Sequence, residues 1–279
     1  MEQFKTYALM IGLTLLFIWF GGLIAGQTGM ILAFVGAVGM NFYAYFNSHE
    51  AVLEHYNAIP VDRHSASGLY QIVDKLTRRA NLPMPQLYII PEAQPNAFAT
   101  GRDYEHAVVA VTEGLLDLMT EEEVEAVIAH ELSHIKHYDM LVGTIAATFA
   151  GAIALLANFG MLFGGDDRDR PNPIVMMVLM IVMPLAATII QMTVSRSREF
   201  MADEGAARMT GHPEWLISGL MKLEDYAHGI SMPQANQQTS HMFIINPFTG
   251  RDFSMQQLFS THPTTEQRIE RLEALMGRY

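Results

Sequence analysis

Cysteine is missing altogether from the 279 residues. Its absence excludes disulfides and thiolate metal ligands, and leaves His, Asp and Glu as the strong ligand types available. Charge is also scarce. Asp, Glu, Lys and Arg make up 16% of the chain against 50% hydrophobic residues, and the mean hydropathy is +0.17. That balance is greasier than an ordinary soluble domain and points to a membrane protein. Positive charge is scarcest: 17 Lys and Arg face 29 Asp and Glu, for a net charge of -12. With no basic run, no RNA-binding signature and no Walker loop, the sequence argues against nucleic acid and nucleotide as partners.

What charge there is falls in blocks. Thr6 to Ser48 holds no charged side chain in 43 residues, broken only by the polar turn Gly26-Gln27-Thr28-Gly29. A span needs about 20 apolar residues, so residues 1–48 read as a hairpin of two transmembrane helices. A cleaved signal peptide fits less well, because a second span follows directly and the N-terminal region has a single Lys5. Residues 49–139 regain charge, proline and glycine as a soluble domain does. Met140 to Gly165 and Ile174 to Ser195 are again charge-free, joined by a polar turn from Asp166 to Pro173. Residues 140–195 therefore read as a second hairpin, with Pro184 tolerated as a kink. Residues 196–279 return to soluble character.

The first soluble part carries His130-Glu131-Leu132-Ser133-His134. Thr120 and Glu123 form a capping box upstream, so the motif lies on a helix. Two histidines four apart share one helix face and can hold one tetrahedral Zn²⁺, while Glu131, one step round, reaches a water on that ion. The motif helix meets no breaker before the third apolar stretch, and so runs straight into it.

Glu199 follows from that continuity. His134 lies 34 residues before Arg168 at the polar turn and Glu199 lies 31 after it. In an antiparallel hairpin rising about 1.5 Å per residue, both emerge at nearly the same height, which places Glu199 to be the third ligand; solvated charges at a helix-membrane boundary are the plainer reading for Glu199 and Asp203. Asp203, four residues on, shares its face and can accept the free N–H of a ligand histidine.

Ser65 to Asn81 reads as a helix with Leu69, Ile72, Val73 and Leu76 on one face. Gln86–Ile90 and Ala107–Val111 read as short strands with Asn96–Thr100 between them, a small sheet beside the motif helix. Its edge could receive a substrate peptide as an added strand; a purely structural hairpin fits the pattern equally well. Further on, a helix is expected around Trp215 to Ala227, a polar loop over Ser231 to Ser240, and a terminal helix with Pro263 in its first turn. His262 and Arg268 can donate to developing negative charge; a capping histidine and a surface arginine are the plainer readings.

Taken together, Asn96-Ala97-Phe98-Ala99-Thr100-Gly101, Ala129 to His134, Arg198 to Asp203, and Thr261-His262-Pro263 with Arg268 make the chain resemble the HtpX-type membrane zinc metalloproteases, relatives of the eukaryotic CAAX prenyl protease. The resemblance implies a multi-pass α-helical membrane protein with a mainly α (α+β) zincin-like protease domain and a small β-sheet. It implies one zinc on His130, His134 and Glu199, Glu131 as catalytic base, and Asp203 supporting the metal shell. Asn96, Ala97, Phe98 and Ala99 would lie on the substrate-binding edge strand. His262 and Arg268 would serve transition-state stabilisation or its scaffold. It also implies quality control of damaged membrane proteins under stress, in the bacterial cytoplasmic membrane.

Three ligands leave zinc an open position for a water, from which Glu131 is placed to take a proton and pass it to the leaving amine. Metzincins are excluded, since positions 137 and 140 are His137 and Met140. Lys5, Arg63, Lys136, Arg196, Arg198 and Arg208 fall on the side of the metal site, against Arg168 and Arg170 opposite, which favours a cytoplasmic site. Glu121 to Glu125, Lys136 and Asp139 flank the motif and speak against a site inside the lipid. A metal-stabilised membrane scaffold or transporter would have a closed shell and no hydrolysis; Glu131, not needed as a ligand, speaks for the enzyme.

Overall fold

The computed structural model describes residues 2–139, 196–229 and 263–278. The expected third and fourth apolar stretches, the polar loop and His262 lie outside them. Among the described residues the chain is mainly helical with one four-stranded sheet.

Helix α1, Glu2–His55, is not one straight rod. Asn41 Nδ2 donates to Thr14 Oγ1 over 2.7 Å, although 27 residues separate them and a straight helix would hold them about 40 Å apart. The chain reverses at Gly26, whose φ of +57° is open to glycine at little cost. The two arms touch closely: a Cβ on Gly21 would strike the Gly29 carbonyl and the Ala33 side chain. The second arm, Gly26–Asn47, is long and apolar enough to cross a membrane.

The sheet runs β1 (Ile59–Val61), β2 (Gln86–Ile90), β4 (Val108–Thr112), β3 (Ala97–Thr100). β2 and β4 are parallel, Gln86 opposite Val108 and Ile90 opposite Thr112, so they do not form a hairpin with each other. β3 pairs antiparallel with β4 and lies at an edge. β1 was not expected; a three-residue strand containing Pro60 carries no periodicity to read, and proline is tolerated at a sheet edge. β4 is buried throughout because it is covered on both faces. Val109 and Val111 face the main core, while Val108 and Ala110 join Leu53, Ile90 and Phe98 under the end of α1.

The main core is built on α2 (Ser67–Ala80), which buries Leu69, Ile72, Val73 and Leu76 as its spacing requires. After α3 (Glu113–Leu118) comes α4 (Glu121–Lys136), buried without interruption from Glu123 to Ser133. A helix buried nearly all round sits in the middle of a core, and the polar side chains it carries there, Glu123, Glu125, His130 and Glu131, are buried with it. α4 indeed packs on α2, β3, α5 (Arg196–Thr210) and α6 (Pro213–Gly229). α7 (Thr265–Glu273) closes the far side. Its N-cap is Thr264 with Gln267 completing a capping box, so Pro263 precedes the cap rather than entering the first turn.

The expectation that α4 continues into the apolar stretch is overturned. The helix stops at Lys136 and Tyr138 takes a left-handed φ of +61°. Neither glycine nor proline marks the place; one local and one tertiary side-chain contact sit at the stop. His137 Nδ1–H donates to the Ser133 carbonyl over 2.8 Å, and the Tyr104 hydroxyl donates to the Lys136 carbonyl over 2.9 Å. The Tyr104 bond satisfies a carbonyl left over at the helix end, while the Ser133 carbonyl also accepts the His137 backbone N–H over 3.1 Å. Tyr138 then packs against Tyr104 at 4.1 Å between ring centroids.

The Thr120 capping box forms as the sequence indicates. Its Glu123 has a second duty: its carboxylate accepts from Ser218 at 2.6 Å and Lys222 at 2.7 Å, tying α4 to α6. Burial raises the Glu123 pKa, but Lys222, Ser218 and the Thr120 N–H outweigh it and hold the pKa below its ordinary 4.5. A depressed carboxylate stabilises the fold fully above its unfolded pKa, and that stabilisation is lost as pH falls through the lower folded value. Glu123→Gln is therefore expected to melt below the unmodified protein at neutral pH. The gap should shrink progressively as pH is lowered below about 4.5, which a series of thermal melts against pH would follow.

Candidate metal centre

α4 and α5 cross in close contact, and the chemistry-bearing side chains project from the two helices toward each other. Gly205 allows this approach, since a Cβ there would collide with Ser133 Oγ and lie 2.8 Å from its Cβ. His130 Nε2 and His134 Nε2 face each other at 3.1 Å. Glu199 completes the triangle, Oε2 at 3.7 Å from the first and Oε1 at 3.6 Å from the second. One donor atom from each residue lies within 4.8 Å of the others. Two nitrogens bound at 2.0–2.1 Å to one tetrahedral ion stand about 3.3 Å apart, so this donor set fits a divalent cation without rearrangement. The structure thus brings together the three residues the sequence singled out as ligands.

Residues 64–276 match peptidase family M48. The chain belongs to peptidase family M48. This M48 peptidase is a metalloprotease, similar along its whole length to curated relatives. It is 78% identical to a protease HtpX homolog of Sulfurovum sp. (strain NBC37-1), covering 99% of this chain and 100% of that one. It is 59% identical to the homolog of Campylobacter hominis, covering 99% of each chain. For the homolog of Burkholderia thailandensis the identity is 51%, covering 99% and 98%. The fold is also that of the crystal structure of S. mikatae Ste24p, with a TM-score of 0.52 and 18% identity. That match covers 95% of this chain and 62% of the other, so the M48 peptidase spans under two thirds of Ste24p.

Behind each histidine of the M48 centre stands a carboxylate. His130 Nδ1 is 2.9 Å from Asp203 Oδ1, and His134 Nδ1 is 3.1 Å from Asp139 Oδ2. A carboxylate only accepts, so each ring carries its proton on Nδ1 and turns Nε2 to the centre. Asp203 is held in turn by Arg268, whose Nη2 and Nε donate over 2.6 and 2.9 Å. Arg268 is 1% exposed, so the surface arginine reading fails. Burial raises the Asp203 pKa, but Arg268 and His130 override it and the net shift is downward. Burial lowers the His134 pKa, yet Asp139, Glu199 and Glu131 together push it up to about 9. Cation binding at this ring accordingly displaces a proton.

Glu131 is buried beside the centre. Burial pushes its pKa up, His130 and His134 pull it down, and the net direction is upward. The backbone N–H of Ala99 also pulls it down, and edge strand β3 packs against α4 beside the centre. Ala97 and Ala99 face α4 and the main core, while Phe98 faces the second core below the sheet. His137 stays at the end of its own helix, bonded to Ser133.

Asp139 and the Ala99 contact were not read from the sequence. On a continuous helix, position 139 would lie about 140° round from His134. Only the left-handed Tyr138 returns it, and no local signal announces that turn.

Proposed function

We infer that this metalloprotease is a zinc-dependent endopeptidase set in a membrane, hydrolysing peptide bonds of membrane or membrane-proximal proteins. The observation that carries the reading is the convergence of His130 Nε2, His134 Nε2 and the Glu199 carboxylate beside a buried Glu131 that none of them needs as a ligand. His130, His134 and Glu199 hold the zinc. When bound, zinc supplies a Lewis acid that polarises the scissile carbonyl and acidifies a water molecule. Glu131 is the general base: its raised pKa suits a carboxyl that takes a proton from water and returns it to the leaving nitrogen. Asp203 fixes the His130 tautomer, and Arg268 serves as scaffold by holding Asp203. His262 is the donor to the oxyanion.

A substrate segment adds to the outer edge of β3 along Asn96, Ala97, Phe98 and Ala99. β3 packs against α4, which carries Glu131, so a strand laid there passes its backbone close to the base. The exposed apolar residues of α1, among them Ile31, Leu32, Val35 and Phe42, support lipid contact. The charge-free runs within 140–195 support two further spans, the balance of Lys and Arg supports a site on the cytoplasmic side, and the resemblance to HtpX-type proteases supports the bacterial inner membrane. The role is quality control of membrane proteins under stress.

The full chain purified in detergent should cleave casein and contain one zinc. Removing the metal with 1,10-phenanthroline should abolish cleavage, and one equivalent of zinc should restore it. Cleavage persisting in protein shown by metal analysis to be zinc-free would sink the reading.

A further inference from the structure

We propose that Asp139 is a positioning residue for His134, held in place by Arg198. The inference rests on the metal-site reading above. Its first support is repetition. His130 is backed by Asp203, and Asp203 by Arg268. His134 is backed by Asp139 at 3.1 Å, and Asp139 Oδ1 lies 3.6 Å from Arg198 Nε. Each histidine of the centre thus has its own carboxylate and each carboxylate a guanidinium within ion-pair distance, hydrogen-bonded at Asp203 and an ion pair without a hydrogen bond at Asp139 Oδ1. All four supporting side chains are largely out of water: Asp203 2%, Arg268 1%, Asp139 9% and Arg198 5% exposed.

The second support is backbone strain. Tyr138 is not glycine, yet it sits at φ +61°, in a region that costs an L-residue about 1–2 kcal/mol. The contacts that enforce it, His137 to Ser133 and Tyr104 to Lys136, turn the chain so that Asp139 comes back to His134. A straight α4 would have sent that carboxylate away from the ring. Strain held at one residue by its surroundings is the usual mark of a functional constraint.

Arg198 adds a connection between helices. It stands beside Glu199, so one pair, Asp139 with Arg198, braces a ligand from α4 and a ligand from α5 together. In the sequence Asp139 comes directly before the charge-poor region 140–195 and Arg198 three residues after it. The brace therefore joins the two chain ends that lead into and out of that region at the wall of the metal centre.

The test is zinc affinity of the full-length detergent-solubilised protein, by competition with a chromogenic chelator. Asp139→Ala is expected to bind zinc about 10–100-fold more weakly, the range for removing a carboxylate behind a ligand histidine. Asp139→Asn, which can still accept from Nδ1, should lose clearly less. Arg198→Leu should weaken binding, and adding it to Asp139→Ala should cost little more, because the two act as one unit. Glu123→Gln, which loosens the fold far from the centre, should bind zinc like the unmodified protein at a temperature where both are folded. Folded Asp139→Ala within threefold of the unmodified protein overturns the proposal; if that variant does not fold, an Asp139→Asn, Arg198→Leu double variant whose loss of affinity equals the sum of the two single losses does so. An unmodified protein that binds no zinc overturns the metal-site reading itself.

Discussion

Glu131→Gln is expected to lower kcat/KM on casein by roughly 10²–10⁴-fold, the usual contribution of a general base. One zinc per chain and the melting temperature should be unchanged. The amide is nearly the same shape and keeps an oxygen that can accept the Ala99 N–H, so the contact with β3 survives. What it cannot do is take up a proton. The group that could hold a metal ion is His130, His134 and Glu199, none of which the substitution touches. Casein cleavage within tenfold of the unmodified protein would remove Glu131 from the mechanism.

Arg268→Leu should have the largest effect on the fold. Arg268 is fully buried and donates twice to Asp203, so its loss leaves a carboxylate in the core without its cation. Breaking such a pair costs about 3–5 kcal/mol. For a domain of this size that is a fall in melting temperature of roughly 6–20 °C. Replacing both partners, Arg268→Leu with Asp203→Leu, should recover much of the stability, because no charge is then stranded. Zinc affinity should not recover, since His130 loses its Nδ1 acceptor. A double variant that melts lower than Arg268→Leu alone would show that the pair is not an isolated buried unit.

How much of this was legible in the sequence depends on whether the controlling interaction is local. The Thr120 and Glu123 box is a three-residue affair and could be read directly. So could the buried face of α2, a matter of helical period. The direction of β2 against β4 could not, because parallel pairing of Gln86 with Val108 is set by a loop route and not by either strand's residues. The end of α4 was missed for the same reason: Tyr104, 32 residues from Lys136, supplies the bond that stops it. Glu199 was placed beside the histidines by assuming an unbroken α4, and the helix in fact breaks at Tyr138. The conclusion survived because Gly205 and Ser133 press α4 and α5 together just there. Arg268 looked like a surface residue, since one arginine on a short polar helix gives no local sign that Asp203 waits for it inside.

The centre is assembled from the two ends of a long excursion of the chain. His130, His134 and Asp139 come before residues 140–195, while Glu199, Asp203 and Arg268 come after. A ribosome adds about 5–20 residues per second, so roughly 3–13 s separate the making of His134 from that of Glu199, 65 residues later. For that interval the nascent chain holds only two of the three side chains that could share an ion, so the centre cannot form until the chain has passed through residues 140–195.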